Sequence, residues 1–172
     1  MTLVIRPFTV DDADQFGLVH VRAWQATYRG TMTDEFLDAL DGAAWARRWR
    51  EHFADGDHGR VDLVAELDGH VVGAVSVGAD RDETGLGELW AINIDPDVFG
   101  TGVGQELFTA GVEALRHLDF TRAVLWVVRE NARARRFYER NGWQADGTEK
   151  TVAIGGTEVV ELRYATRLRP PA

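Results

Sequence analysis

The chain of 172 residues contains no cysteine, one serine and one lysine. Without a thiol, the sequence excludes disulfide bonds, cysteine-based metal sites and thiol nucleophiles. The single lysine, Lys150, lies in the segment TEKTV, away from any glycine-rich loop, which argues against a phosphate-loop or Schiff-base lysine. The single serine, Ser76, lies in AVSVG. This segment lacks the first glycine of G-x-S-x-G and falls inside a predicted strand, which argues against a serine hydrolase.

Positive charge is also scarce. The chain has 19 basic and 28 acidic residues, and its formal net charge is −9. Such a field disfavours nucleic acids and anionic membranes as partners and favours a cationic one. The segment MTLVIRPF offers only three consecutive apolar residues before Arg6. We therefore expect neither a signal peptide nor a membrane span, and a cytoplasmic location.

The length suits one domain, and no linker or repeat interrupts it, so we expect a single domain over residues 1–172 with its core at about 3–168. Helices are predicted between Thr9 and Gly30, after Asp41, after the turn at 100–104, and between Asn131 and Gly142. Strands are predicted at 2–7, 61–67, 70–78, 86–95, 122–129, 143–154 and 157–168. This order predicts a mixed α/β fold, an α+β mixed sheet in which antiparallel hairpins flank a central βαβ unit.

A glycine-rich turn, IDPDVFGTGVG, occupies residues 94–104 between a predicted strand and a predicted helix. Small residues let backbone N–H groups face a ligand, and the helix N-terminus adds partial positive charge, so the turn is suited to bind a phosphate. It does not fit the dinucleotide motif G-x-G-x-x-G, because Gln105 stands where the third glycine belongs. A purely structural turn is the alternative interpretation of this segment alone.

A second segment, LWVVRENARARRFYERNGW at residues 125–143, narrows the interpretation. Together with the glycine turn it resembles the GCN5-related N-acetyltransferase (GNAT) family. There, Q/R-G-x-G-x-G/A holds the pyrophosphate of acetyl-CoA, and a strand followed by N-x-x-[AR]-x-x-[FL]-Y-x-x-x-G-F lies along the pantetheine arm. The segments IRPFTVDDADQFGLVHVRAWQATYRG and ELWAINIDP are similar to the family's first strand and helix and to its central strand, so the resemblance covers most of the chain.

The resemblance implies a GNAT acyl-CoA N-acyltransferase fold with acetyl-CoA as the donor. Its pyrophosphate would be bound by the backbone N–H groups of Gly100, Thr101, Gly102, Val103, Gly104 and Gln105. Pantetheine would pair like an extra strand with the backbone of Ile92, Asn93 and Ile94. The family's central strand carries a bulge and splays from the next strand. An amide near Ile92 would polarise the thioester carbonyl. The family's Gln or Arg before the first glycine is Phe99 in this chain, which removes one polar phosphate contact.

Asn131 and Tyr138 are seven positions apart, so they share a helix face and lie roughly 10 Å apart along its axis. The resemblance implies that Asn131 meets the pantetheine amides. Tyr138 would be the general acid that protonates the leaving CoA thiolate. The alternative for Tyr138 is a core aromatic residue with a satisfied hydroxyl.

The base that takes the acceptor's proton is less well marked. Glu88 is the first candidate, acting through water, and His20 is the second. Period-two alternation predicts that Glu88 shares a strand face with Trp90 and Ile92, although an ordinary ion-paired residue would fit equally well. In the ribosomal-protein alanine acetyltransferase subfamily a catalytic Glu precedes the capping Asn by five residues, and that position is Trp126 in this chain.

His20, Trp24 and Tyr28 recur at intervals of four on the first predicted helix, where family members line the acceptor pocket. With Trp90 they are expected to form an aromatic wall that attracts an amine by cation–π interaction, core packing being the alternative. Arg129, Arg133, Arg136 and Arg140 form a stripe that we predict to lie opposite the Asn131 and Tyr138 face. A solvated charged face is favoured for them over contacts to the 3′-phosphate.

Taken together, the residues and the resemblance predict a cytoplasmic N-acetyltransferase that moves acetyl from acetyl-CoA directly to a primary amine in a ternary complex. Direct transfer requires neither a metal nor an enzyme nucleophile, in agreement with the missing cysteine and the single serine. The acceptor is expected to be cationic, and neither nucleic acid nor membrane is expected as a partner. The alternative is a non-catalytic acyl-CoA-binding module. The fold that the resemblance implies is also compatible with a homodimer, because its exposed strand edges often pair.

Overall fold

A seven-stranded mixed sheet is the centre of the protein in this computed structural model, which describes residues 1–56 and 59–169. The strands are β1 (Leu3–Pro7), β2 (Val61–Leu67), β3 (His70–Ala79), β4 (Gly87–Ile94), β5 (Arg122–Val128), β6 (Gln144–Ile154) and β7 (Thr157–Arg167). The helices are α1 (Ala13–Tyr28), α2 (Asp34–Asp38), α3 (Gly42–Ala54), α4 (Val103–His117) and α5 (Ala132–Arg140). The strands lie side by side in the order β1-β2-β3-β4-β5-β7-β6.

The predicted mixed α/β architecture is confirmed. The hairpin of β2 and β3 turns at Asp68 and Gly69, whose φ angles of 50° and 84° are in the left-handed region that an Asp-Gly pair accepts. Strands β6 and β7 form the second predicted hairpin, and β4, α4 and β5 form the predicted unit with a parallel strand pair. All other strand pairs are antiparallel.

Local capping explains where the first helices begin. The Thr9 amide donates to Asp12 Oδ2 at 2.8 Å, and a 3₁₀ turn over Val10–Asp12 leads into α1. Asp41 caps α3 by accepting from the Ala43 amide at 2.9 Å. The short helix α2 lacks a predicted counterpart because its five residues are too few for a periodic pattern.

Apolar residues cover both faces of the sheet. On one face, α4 and α5 pack over a core that includes Leu107, Leu125 and Trp143. On the other face, α1 and α3 cover a cluster around Phe16 and Val64, and α2 covers a third cluster. Because helices enclose the sheet on both sides, any ligand that reaches the middle strands must pass between elements.

Such a passage exists between β4 and β5. The two strands pair only where Gly87–Leu89 face Ala123–Leu125, although β4 continues to Ile94 and β5 to Val128. A bulge at Trp90 shifts the register of β4 against β3, since Ser76 faces Ala91 whereas Val77 faces Leu89. The bulge and the splay that the family resemblance implied are therefore both present.

The outer edges of the sheet are β1 and β6. Pairing of two copies along one of these edges remains a prediction. Within residues 1–56 and 59–169, none of the helices combines the length and the apolar content that crossing a membrane requires.

Candidate active site

A cleft of about 790 Å³ lies at the gap between β4 and β5 and is lined by residues from both faces of the sheet. On the face of α4 and α5 it is lined by residues that we call the glycine-loop half: Val98, Phe99, Gly100, Gly102, Gly104, Gln105, Asn131, Arg133, Ala134, Phe137 and Arg140. On the face of α1 and α3 it is lined by residues that we call the tryptophan half: His20, Trp24, Tyr28, Trp45, Trp49, Arg60, Ser76, Arg81, Trp90, Trp126 and Glu161. The volume is that of a small-molecule site.

The glycine loop presents backbone amides at the start of α4. Gly100 and Gly102 have φ angles of 77° and 96°, and a Cβ at either position would meet no atom within 4 Å, so both face open space. The amides of Thr101 and Gln105 donate to the Val98 and Gly102 carbonyls at 3.3 and 3.0 Å. Four of the six predicted donors, at 100, 102, 103 and 104, have no such partner among the described residues.

Side chains tie this loop to α5. Gln105 and Asn141 form a reciprocal amide pair, with Gln105 Nε2 donating to Asn141 Oδ1 at 2.7 Å. The Arg133 guanidinium lies over the Phe99 ring, with its Cζ 3.6 Å from the ring centroid. A positive charge therefore stands where the family's polar residue is missing. Burial lowers the pKa of Arg133.

Two predictions are wrong: the side of α5 on which the arginines lie, and the face of β4 that Glu88 and Ile92 share. Arg133 and Arg140 line the same cleft as Asn131 and Tyr138 rather than the opposite side, because α5 presents its first turn and its last turn to the gap. Ile92 pairs with Val75 of the core cluster that contains Leu89, whereas Glu88 pairs with Gly78, which follows Val77 of that cluster and therefore lies on the opposite face. The extra residue at the Trp90 bulge breaks the alternation that had placed Glu88 and Ile92 on one face.

Residues 92–94 of β4 line the cleft beside the unpaired stretch of the strand. This is the position in which the resemblance implies backbone pairing with pantetheine. The structure brings Ile92, Asn93 and Ile94 to the same cleft as the glycine loop and Asn131.

Tyr28 and Tyr138 approach each other across the gap, one from α1 and the other from α5. The Asn131 side chain lies close enough to the Tyr28 phenol to lower its pKa by donating to it, against the larger rise that burial causes. Asn131 Oδ1 accepts from the Ala134 amide at 3.1 Å and caps α5. Tyr138 is buried, and its hydroxyl makes no hydrogen bond to a described residue. Burial and the neighbouring Tyr28 raise the pKa of Tyr138, so its hydroxyl stays protonated.

Five of the six tryptophans of the chain line the cleft, at positions 24, 45, 49, 90 and 126. Trp90 donates its indole N–H to the Ala79 carbonyl at 3.1 Å, and the guanidinium groups of Arg60 and Arg81 lie 5.2 and 5.7 Å from its ring centroid. The predicted pocket residues His20, Trp24, Tyr28 and Trp90 are thus brought together.

His20 is held between aromatic rings, with ring centroids 5.4 Å from Trp24 and 3.8 Å from Trp45. Its Nε2 atom is buried without a hydrogen-bond partner in the described parts of the chain. Burial, and to a smaller extent the charge of Arg48, lower the pKa of His20 to about 4. The imidazole is therefore neutral at physiological pH.

Glu88, the first predicted base, is only 1% exposed and is not a lining residue of the cleft. Its carboxylate forms a two-point ion pair with Arg81, at 2.6 Å from Nη2 to Oε1 and 3.1 Å from Nε to Oε2. Arg81 itself lines the cleft, and its side chain is 62% exposed. The geometry makes Glu88 the anchor of Arg81, and its action as a base stays a prediction.

Ser76 also lines the cleft, and among the described residues its hydrogen-bond partners are Asp62 and Arg60 rather than a histidine. Its hydroxyl donates to Asp62 Oδ1 at 2.5 Å and accepts from Arg60 Nη2 at 3.1 Å. Ser76 lies in the middle of β3, not at a strand-to-helix turn. These contacts agree with the sequence argument against a serine hydrolase.

Glu161 is one of the cleft residues that the sequence motifs do not predict. It is the one carboxylate among the described lining residues, and it is the cross-strand neighbour of Val128 at the end of β5. Lys150, its neighbour on β6, places Nζ 3.7 Å from Glu161 Oε2 and 3.9 Å from the Trp126 ring centroid. Glu161 lies two positions after the buried Val159, so alternation places this charged side chain on the same, inward face of β7. That pattern is the signal that could have pointed to Glu161.

No group of three or more His, Asp or Glu side chains suited to bind a metal ion occurs in residues 1–56 and 59–169. The site is therefore defined by backbone amides, aromatic rings and a few paired charges.

A glycine loop at a helix N-terminus beside a splayed parallel strand pair defines an acyl-CoA-type transferase fold. The sequence signature of the Acetyltransferase (GNAT) family matches residues 22–143, and the chain belongs to that family. The predicted family, fold and enzyme class are thereby confirmed.

Individual relatives agree with this assignment. An uncharacterized N-acetyltransferase of Archaeoglobus fulgidus is 30% identical over 138 residues, which are 78% of this chain and 88% of the relative. A mycothiol acetyltransferase of Acidimicrobium ferrooxidans is 41% identical over 86 residues, but these are 49% of this chain and only 28% of the length of that relative. The yncA protein of Salmonella typhimurium, a putative acetyltransferase solved with its cofactor acetyl-CoA, has a TM-score of 0.74 at 19% identity and covers 100% of this chain and 97% of its own.

Proposed function

We propose that the protein transfers the acetyl group of acetyl-CoA to a primary amine, in a complex that holds donor and acceptor together. The observation that supports this most directly is the cleft, which joins a phosphate-type loop on one face of the sheet to an aromatic pocket on the other. Both substrates reach the gap between β4 and β5 from opposite sides, so no acetyl-enzyme is required.

The residues of the glycine-loop half fit the donor. The amides at 100, 102, 103 and 104 and the N-terminus of α4 would bind the pyrophosphate, with the amides of Thr101 and Gln105 bracing the loop. Arg133 and Arg140 would add positive charge at the rim. The backbone of residues 92–94 would pair with the pantetheine arm, and Asn131 would meet one of its amides. Bound there, acetyl-CoA supplies a reactive thioester carbon.

Tyr138 is proposed as the general acid. It lies where the two halves of the cleft meet, and its phenol is protonated throughout the neutral pH range. A hydroxyl held in this state can give its proton to a leaving thiolate sulfur. An amide near Ile92 would stabilise the negative charge that develops on the carbonyl oxygen.

The acceptor is proposed to be a primary amine that enters through the tryptophan half. Trp24, Trp90 and Tyr28 offer ring faces that attract a cation, and His20 completes the wall as a neutral ring. The net charge of −9 would favour arrival of a cationic amine. The cytoplasm remains the proposed compartment.

The purified protein should be titrated with acetyl-CoA and then assayed for CoA release over a panel of primary amines. Saturable binding followed by amine-dependent CoA release is the expected outcome. Binding without CoA release for any amine would favour the non-catalytic module instead. Failure to bind acetyl-CoA at all would contradict both functions.

A further inference from the structure

Glu161 occupies a place in the cleft that the proposed function has not yet used. It projects from β7 on the same face as Val159, which is buried in the cluster that α2 covers. Its cross-strand neighbour on β5 is Val128, and Val128 lines the cleft at the open end of the gap. The carboxylate is therefore one strand away from the place where the two halves of the cleft meet.

The groups that face Glu161 are few and can be named by element. Lys150 on β6 contacts Oε2, whereas Oε1 makes no hydrogen bond to a described residue. Tyr28 on α1 is close enough for the Glu161 charge to raise the pKa of its phenol. Arg163, two residues along β7, is already paired with Asp146 and Glu83.

The other acidic groups around the cleft have guanidinium partners. Glu88 is bound by Arg81, and Asp62 accepts from Arg60 at 2.7 Å and from Ser76. His20 is a neutral ring in an apolar wall, where a positive charge is unfavourable. Glu161 thus combines a negative charge with a free oxygen on the side of the cleft that the acceptor would enter.

We propose that Glu161 binds the ammonium group of the acceptor and acts as the general base of the transfer. This inference rests on the proposed function. The amine nitrogen forms a bond to the acetyl carbon while the carbon–sulfur bond breaks. Before the attack the ammonium gives one proton to Glu161 Oε1, which frees the nitrogen lone pair. The sulfur leaves as a thiol after taking the proton of the Tyr138 hydroxyl, and the second proton lost by nitrogen returns through water to the Tyr138 oxygen. A carboxylate suits both tasks, because it attracts the cation and then accepts its proton.

The test is the Glu161→Gln variant of the full chain, assayed with one strongly basic and one weakly basic primary amine that the wild type accepts. For the strongly basic amine, kcat/KM should fall by about 10²- to 10⁴-fold. For the weakly basic amine, which is already deprotonated at neutral pH, the loss should stay within about tenfold. A purely structural role would lower both rates alike.

Glu158→Gln is the matched control, since Glu158 lies three positions earlier on the same strand and is exposed. It should leave both rates unchanged. Glu161→Asp keeps the carboxylate and should recover part of the loss, and an unaltered acetyl-CoA Kd in all variants checks that they are folded.

Equal losses for the two amines, or no loss, would overturn the role of Glu161 while leaving the proposed function intact. The role of Glu161 would also be overturned if the loss of kcat/KM depended on amine basicity in Glu88→Gln and not in Glu161→Gln. Absence of CoA release by the wild type with every amine would overturn both proposals.

Discussion

The two halves of the cleft are built by different means. The glycine-loop half combines main-chain amides and one helix start within residues 98–105 with side chains from α5, which the Gln105 and Asn141 amide pair holds against the loop. The tryptophan half uses side chains from α1, α3, β3, β4, β5 and β7, which are far apart in sequence. Backbone amides are the same whatever the side chain, so the first half suits a constant donor. The second half can change with each substitution, which suits the selection of an acceptor under the proposed function.

Apart from the Glu161 variants, the largest expected effect lies where the two halves meet. Tyr138→Phe should lower kcat by about 100-fold, because the leaving sulfur loses its proton donor, and should leave the acetyl-CoA Kd nearly unchanged. The measurement is kcat across pH 6–9 alongside a binding titration. Tyr164→Phe is the control, since that buried hydroxyl donates to Glu139 at 2.8 Å and does not line the cleft. An unaltered kcat over the whole pH range would remove the acid role of Tyr138.

Acid should destabilise the protein through the tryptophan half. Burial lowers the pKa of His20 from 6.5 to about 4, so the unfolded chain binds a proton that the folded one does not bind. The contribution of the neutral His20 to the free energy of unfolding is complete above pH 6.5 and is lost as the pH falls toward 4. The loss is about 3 kcal/mol at most.

Urea unfolding of the wild type and of His20→Gln at pH 7, 5.5 and 4 measures this contribution. The variant should lose less free energy of unfolding over that range than the wild type does. His70→Gln, at an exposed position at the start of β3, should follow the wild type. Parallel curves for all three proteins would contradict the assignment to His20.

A smaller effect is expected in the glycine-loop half. Gly102→Ala forces a side chain into the left-handed region, at a cost of about 1–2 kcal/mol, and should weaken acetyl-CoA binding by about tenfold as the loop relaxes. Gly147→Ala is a matched control, because Gly147 has a φ of 88° and open space around it but lies in β6, outside the cleft. Calorimetric titration of both variants should give a raised Kd for the first alone. Similar Kd values would contradict a role for the loop geometry.

The same contrast explains what the sequence could predict. The glycine loop, the cap at Asn131 and the position of Tyr138 follow from spacing within one turn or one helix, and each was predicted. Glu88 is the carboxylate that the sequence predicts on the central strand, and alternation places it on one face with Trp90 and Ile92; the bulge at Trp90 interrupts that alternation. Glu161 enters the cleft because β7 pairs with β5 out of chain order, and its phase with Val159 indicates the strand face but not the neighbouring strand. Trp45 and Trp49 also line the cleft from α3, for which the sequence predicts only a helix after Asp41.

The short ladder between β4 and β5 has a consequence for hydrogen exchange. Beyond Leu89, β4 keeps only β3 as a hydrogen-bonded neighbour, so alternate amides of the strand lie in a ladder while those between them face the gap. Exchange rates along residues 91–94 should therefore alternate between slow and fast in the free protein. A ligand that fills the gap would slow exchange of the amides that face it and leave the rates of the amides paired with β3 unchanged. The exchange rates of these four residues therefore report whether the gap is occupied.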